Sequence, residues 1–115
     1  MVKLISLKKS DHFKRVLKGK KLHTDYFSIF AIKNFINVKS LNNLRISFVI
    51  KKKIGNSVKR NRIRRKLKAI VHKLLKKRGA INRNYTYIVF GKPKVYTESQ
   101  KILLEAMTKS FKKIC

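Results

Sequence analysis

Apolar positions along the chain switch between a helical and a strand period four times, and these switches mark out its elements. Ser10 and Asp11 open the first helix, with Ser10 as N-cap and Asp11 favourable to the dipole. Phe13, Val16 and Leu17 follow at i, i+3 and i+4, and Gly19 closes the segment as a C′ residue. His23 to Phe35 is rich in aromatic and β-branched residues and reads as extended. Its two faces, Phe27, Ile29 and Ala31 against Tyr26, Ser28, Phe30 and Ile32, both carry apolar groups, so neither is a plain solvent face. Asn37 to Asn43 is polar and Asn-rich, the pattern of a loop. Leu44, Ile46, Phe48 and Ile50 then alternate with Arg45, Ser47, Val49 and Lys51 in a strand with one apolar face. Tyr85 to Phe90 is a third strand, bounded by Asn84 and by the turn Gly91-Lys92-Pro93. A capping box of Thr97 and Gln100 starts the last helix, which buries Leu103, Ala106, Met107, Phe111 and Ile114.

The longest periodic segment lies between these strands. Gly55 and Asn56 break the strand before it, and Ser57 caps a helix beginning at Val58. Ile63, Leu67, Ile70, Val71, Leu74 and Leu75 form its apolar stripe, and Gly79 ends it. Opposite the stripe stand Asn61, Arg62, Arg65, Lys68, His72 and Lys76. Between Lys51 and Lys68, ten of eighteen residues are Lys or Arg. A solvated charged face is the ordinary reading of such a ridge. Here Arg62–Lys66 and Arg64–Lys68 are like-charge i,i+4 pairs, and Lys59 and Arg60 oppose the helix dipole in the first turn. A helix that breaks local rules so consistently marks a functional site, and a phosphate at its N-terminus would relieve the conflict.

Composition strengthens that reading. The 115 residues suit one domain, and 43% hydrophobic residues supply a modest core. Lys and Arg number 32 against four carboxylates, giving a net charge of +28. Self-repulsion of that size calls for a polyanionic partner. The carboxylates are Asp11, Asp25, Glu98 and Glu105, with none between Tyr26 and Thr97. A metal-dependent nuclease needs several converging carboxylates and a glycosidase needs two in one cleft, so neither is expected, nor is a catalytic residue or metal site. His12, His23 and His72 lie in separate segments. A ribonuclease built on a histidine pair and a lysine stays open, but surface histidines are the simpler reading. Cys115 is the one cysteine, so no disulfide or zinc cluster is expected. No apolar run approaches a membrane span, and MVKLISLKK is too short for a signal peptide; both favour a cytoplasmic protein. Charge leaves RNA and DNA open. A DNA reader should show a helix-turn-helix or dimer seam, and a ribosomal protein long basic tails; neither pattern is visible.

The stretch KKKIGNSVKRNRIRRKLK, with Arg60, Asn61 and Arg62 at its heart, closely resembles the signature of the protein subunit of bacterial ribonuclease P. LKKSDHFKRVLKG resembles that family's first helix, TDYFSIFAI and LRISFVIKKK its strands, and YIVFGKPK with the helix after it its end. The resemblance implies an α+β sandwich: about four strands in a mixed sheet, three helices, and a left-handed βαβ crossover through the basic helix. It implies that a catalytic RNA subunit removes the 5′ leader of precursor tRNA. Magnesium would be held by RNA and substrate, and no protein partner is implied. Lys52, Lys53, Asn56, Lys59, Arg60, Asn61, Arg62, Arg64, Arg65 and Lys68 would meet the catalytic RNA. The single-stranded leader would lie in a cleft between the first helix and the sheet. Phe13 matches an aromatic position there, Leu17 stands where a second aromatic is expected, and Phe30 where some members have Tyr. Lys51 and Lys92, at neighbouring strand ends, would hold the leader backbone. Without the resemblance, Phe13 and Phe30 read as ordinary core.

Overall fold

The computed structural model describes residues 3–5, 10–33, 43–77, 81 and 85–114. The chain forms β1 (Lys3–Ile5), α1 (Ser10–Leu17), β2 (Lys20–His23), β3 (Phe27–Lys33) and β4 (Asn43–Val49). A single 3₁₀ turn, Lys52–Ile54, leads into α2 (Ser57–Leu75), followed by β5 (Tyr85–Gly91), α3 (Lys94–Thr97) and α4 (Gln100–Ile114). The strands order as β1-β4-β5-β3-β2 in one mixed sheet. Its four main strands hold the expected parallel pair, β4 with β5, while β3 runs antiparallel to β5 and β2. Three-residue β1 extends the edge, parallel to β4. Three helices carry the packing, as expected of this α+β fold, and one-turn α3 is an addition.

The long extended segment resolves into a hairpin. Thr24 closes it: the backbone N–H and hydroxyl of Thr24 donate to the Phe27 carbonyl at 2.8 and 2.9 Å, and its hydroxyl oxygen accepts from the amides of Tyr26 and Phe27. Tyr26 therefore sits in the turn and packs against the main core, so it leaves the face of Ser28, Phe30 and Ile32.

The sheet has two unlike faces. Phe27, Ile29 and Ala31, with Leu44, Ile46, Tyr87 and Val89, are fully buried beneath α2 and α4. The stripe Ile63, Leu67, Ile70, Val71 and Leu74 of α2 meets Leu103, Met107, Phe111 and Ile114 of α4 in the same core. Such burial is the main stabilising force, about 1.5–3 kcal/mol for each large apolar side chain. The opposite face is covered in part by α1, where Val16 and Ile88 are fully buried. This is why both sets of alternating residues carry apolar groups.

Two glycines are required by close approach. A Cβ on Gly19 would lie 2.2 Å from the Ala31 carbonyl oxygen. Gly19 needs no left-handed backbone, so its role is to let the chain pass β3 rather than to form a C′ cap. Gly91 continues β5 where a turn was expected, and a Cβ there would meet Ile50, Ile63 and Leu67 at 2.5–3.1 Å.

The caps also differ in detail from the sequence reading. Asn56, not Ser57, caps α2, its side-chain oxygen accepting the Lys59 amide at 2.9 Å. Thr97 ends α3, while the first turn of α4 closes on the Ser99 carbonyl and Gln100 accepts from Lys73 at 3.2 Å. The α4 stripe buries Ser110, its hydroxyl donating to the Ala106 carbonyl at 2.7 Å, and leaves Ala106 half-buried. Most of the expected loop at 37–43, and Phe35, Gly79, Asn84 and Cys115, lie outside the described residues.

Candidate nucleic-acid interface

Where α1 ends its cover of the second sheet face, a cavity of about 620 Å³ opens. Its floor is Ser28 and Phe30 of β3 with Phe90 and Gly91 of β5; antiparallel register sets Ser28 opposite Phe90. Lys51, Lys53 and Ile54 form one wall, Lys92 and Pro93 another, and His23 stands at the β2 side. Four aromatic rings run across this face, each edge-on to the next. Phe13 lies 6.4 Å from Phe90, Phe90 lies 5.4 Å from Phe30, and Phe30 lies 6.1 Å from His23. The Lys21 ammonium sits 5.9 Å from the Phe30 centroid. Aromatic edges and faces flanked by cations are what unpaired nucleobases and their phosphates require.

Of the residues expected in a leader cleft, the structure brings Phe30, Lys51 and Lys92 together. Phe13 stands one ring behind, on α1, braced against Phe90. Leu17 is half-buried on α1 and does not line the cavity. Lys53, assigned to the RNA ridge, also lines the cavity. The Lys92 ammonium donates to the Thr24 carbonyl, and its amide to the Tyr26 carbonyl at 2.9 Å, so this lysine also ties β5 to the hairpin turn.

Sequence reasoning missed Phe90, His23 and Ile54. Phe90 was legible only with the strand register, which pairs it with Ser28 and Val49. His23 is fixed by a 2.7 Å hydrogen bond between its Nδ1 and the Ser28 hydroxyl. Beyond the cavity, the Tyr26 phenol is pushed above its ordinary value by loss of water around it, and then by Glu98 and Asp25.

The second surface is the outer side of α2. Asn61, Arg62, Arg65, Lys68, His72 and Lys76 are all exposed, opposite the buried stripe, as the helical period requires. Lys52, Lys53 and Asn56 are exposed just before it. Lys59, Arg60 and Arg64 are half-buried, lying along the shoulders of the helix. Side-chain hydrogen bonds hold Arg60 and Asn61: Arg64 donates to the Asn61 side-chain oxygen Oδ1 at 2.9 Å, and Arg60 reaches the Ser57 hydroxyl at 3.4 Å. The Arg60 Nε is enclosed without a hydrogen-bond partner.

One cation of the run is spent internally. The Lys66 ammonium donates to the carbonyls of Val95, Tyr96 and Glu98 at 3.1, 2.8 and 3.1 Å. It thus neutralises the negative end of α3 and pins that turn to α2. Among the described residues, no group of three or more His, Cys, Asp and Glu side chains could hold a metal ion. Nor is any helix of the described residues long and apolar enough to cross a membrane.

A family model described as Ribonuclease P matches residues 1–115. The chain is 33% identical over 93 residues to the ribonuclease P protein component of Listeria monocytogenes serotype 4b, covering 80% of this chain and 72% of that protein. It is 37% identical over 71 residues to the component of Natranaerobius thermophilus, covering 61% of this chain and 57% of that relative's length. In three dimensions it resembles the RNase P protein from Thermotoga maritima, with a TM-score of 0.76 at 22% identity over 96% of this chain and 98% of the other. The RNase P protein of Staphylococcus aureus superposes with a TM-score of 0.67 at 24% identity, over 95% and 93% of the two chains.

Proposed function

The chain belongs to the bacterial ribonuclease P protein family, and from that premise we propose that it is the protein component of a ribonucleoprotein that removes the 5′ leader from precursor tRNA. The basic face of α2 binds the catalytic RNA, and the single-stranded leader lies across the aromatic cavity. Phosphodiester hydrolysis belongs to the RNA, with magnesium held on RNA and substrate phosphates. The reading places the protein in the cytoplasm, with the precursor it acts on.

The observation that carries this reading is the uncovered end of the sheet face. Phe30 and Phe90 lie on the cavity floor, Lys51 and Lys53 rise beside them, and α2 follows within a few residues. One strand of RNA can therefore be held by its bases in the cavity while a folded RNA is held by its phosphates along the helix. The scarcity of carboxylates agrees with chemistry performed by the RNA.

Reconstitution with the cognate RNA tests it. The expected outcome is correct 5′ cleavage in magnesium by the reconstituted particle and none by RNA-free protein. The particle should also bind precursor tRNA more tightly than mature tRNA. Cleavage by rigorously RNA-free protein, or failure to bind the RNA subunit, would overturn the reading.

A further inference from the structure

The ring of Tyr96, in α3, lies under two cations of α2. The Lys59 ammonium is 5.1 Å from its centroid and the Arg62 guanidinium carbon 5.5 Å. Both distances fall within the range of attraction to the ring quadrupole. The two cations stand three residues apart on one helix and repel each other, and the attraction of each to the ring offsets that repulsion. Tyr96 is half-buried against the core, and its backbone carbonyl is one of the three that Lys66 holds. The arrangement is therefore a stack of three parts: Lys66 fixes α3, α3 fixes the ring, and the ring gathers Lys59 and Arg62. The nearby Glu98 carboxylate accepts from the Ser99 amide at 3.1 Å and stands beside Tyr26.

We propose that Tyr96 is a positioning residue for RNA: its ring holds Lys59 and Arg62 ready as a clamp for one RNA phosphodiester. The proposal rests on the RNA-binding reading of α2 and adds a residue outside the basic helix. Ordering two long side chains before RNA arrives removes an entropic cost that binding would otherwise carry. Tyr96 itself contributes no charge, and so should affect affinity without changing the number of ions released.

That difference is measurable. Affinity for the cognate RNA subunit is determined across a series of monovalent salt concentrations. Tyr96→Leu keeps an apolar side chain against the core and removes the ring. It should weaken binding by up to about five- to thirtyfold, the worth of two exposed cation–ring contacts, with an unchanged slope of log affinity against log salt. Tyr96→Phe keeps the ring and should restore the affinity. Lys59→Met with Arg62→Met should lower the slope by about one to two units, and adding Tyr96→Leu to that pair should cost nothing further. Tyr96→Met serves as the second replacement if Tyr96→Leu melts below the assay temperature.

Wild-type affinity for Tyr96→Leu, or an equal loss for Tyr96→Leu with and without Lys59 and Arg62, would overturn the proposal. A loss that Tyr96→Phe also shows would do the same. Failure of the wild-type protein to bind the RNA subunit would instead defeat the broader reading, so the two failures are distinct.

Discussion

Phe30 and Phe90 each serve two masters. They pack edge to face at 5.4 Å and are half-buried, yet both line the open cavity. If they contact leader bases, Phe30→Ala and Phe90→Ala should each cost about 1–3 kcal/mol in affinity for precursor tRNA. Affinity for mature tRNA should change little, and assembly with the RNA subunit should be normal. Rings acting only as core would instead cost about 3–5 kcal/mol of folding stability. Melting curves beside the binding assays separate the outcomes. An equal loss for precursor and mature tRNA, with a much lower Tm, would return both rings to the core.

Helix α2 carries the plainest division of labour. Its period assigns Ile63, Leu67 and Ile70 to the core and Arg62 and Arg65 to the outside, and the structure agrees. Arg62→Ala with Arg65→Ala should leave the fold intact while weakening RNA-subunit binding. Each lost phosphate contact should lower the salt slope by about 0.7–0.9. An unchanged slope would place the two cations outside the interface. Periodicity made this element legible because one helix face reports burial directly. It could not find the role of Lys66, whose partners in α3 and just after it lie 29–32 residues away. Nor could it find β1, whose three residues are too few to show a period. The hairpin at Thr24 escaped for a different reason: its turn is set by a hydroxyl bonding local amides, with no Gly or Asn-Gly to announce it. The cleft was half legible: Phe30 came from the family resemblance and Lys51 and Lys92 from strand ends, whereas Phe90 and His23 needed the register of the sheet.

The molecule as a whole reconciles +28 with a compact shape. Its radius of gyration is 13.4 Å, close to the ~13 Å of an ordinary domain of similar length. Much of the charge lies on surfaces away from the core, and RNA phosphates would neutralise it there. Affinity for the RNA subunit should therefore fall steeply with salt. With about 6–10 phosphate contacts, it should drop about 10³–10⁵-fold between about 50 and 200 mM monovalent salt. A nearly flat dependence, read by titration at several ionic strengths, would show that the charge is not spent on phosphates.

Gly91 has one further consequence. It floors the cavity on one side of the sheet, and on the other the space a Cβ would take is filled by Ile50, Ile63 and Leu67. Between the cavity and the packed face of α2 the wall is here a single backbone thick. Any side chain added at this point crowds the packing that seats α2. A residue that borders the cavity and the seat of α2 at once leaves little room for a side chain. On the proposed reading, changes in leader preference would fall on the rings and lysines of the cavity, and changes in fit to the catalytic RNA on the cations of α2. Either set could then change without disturbing the other, because the packed core of α2 lies between them.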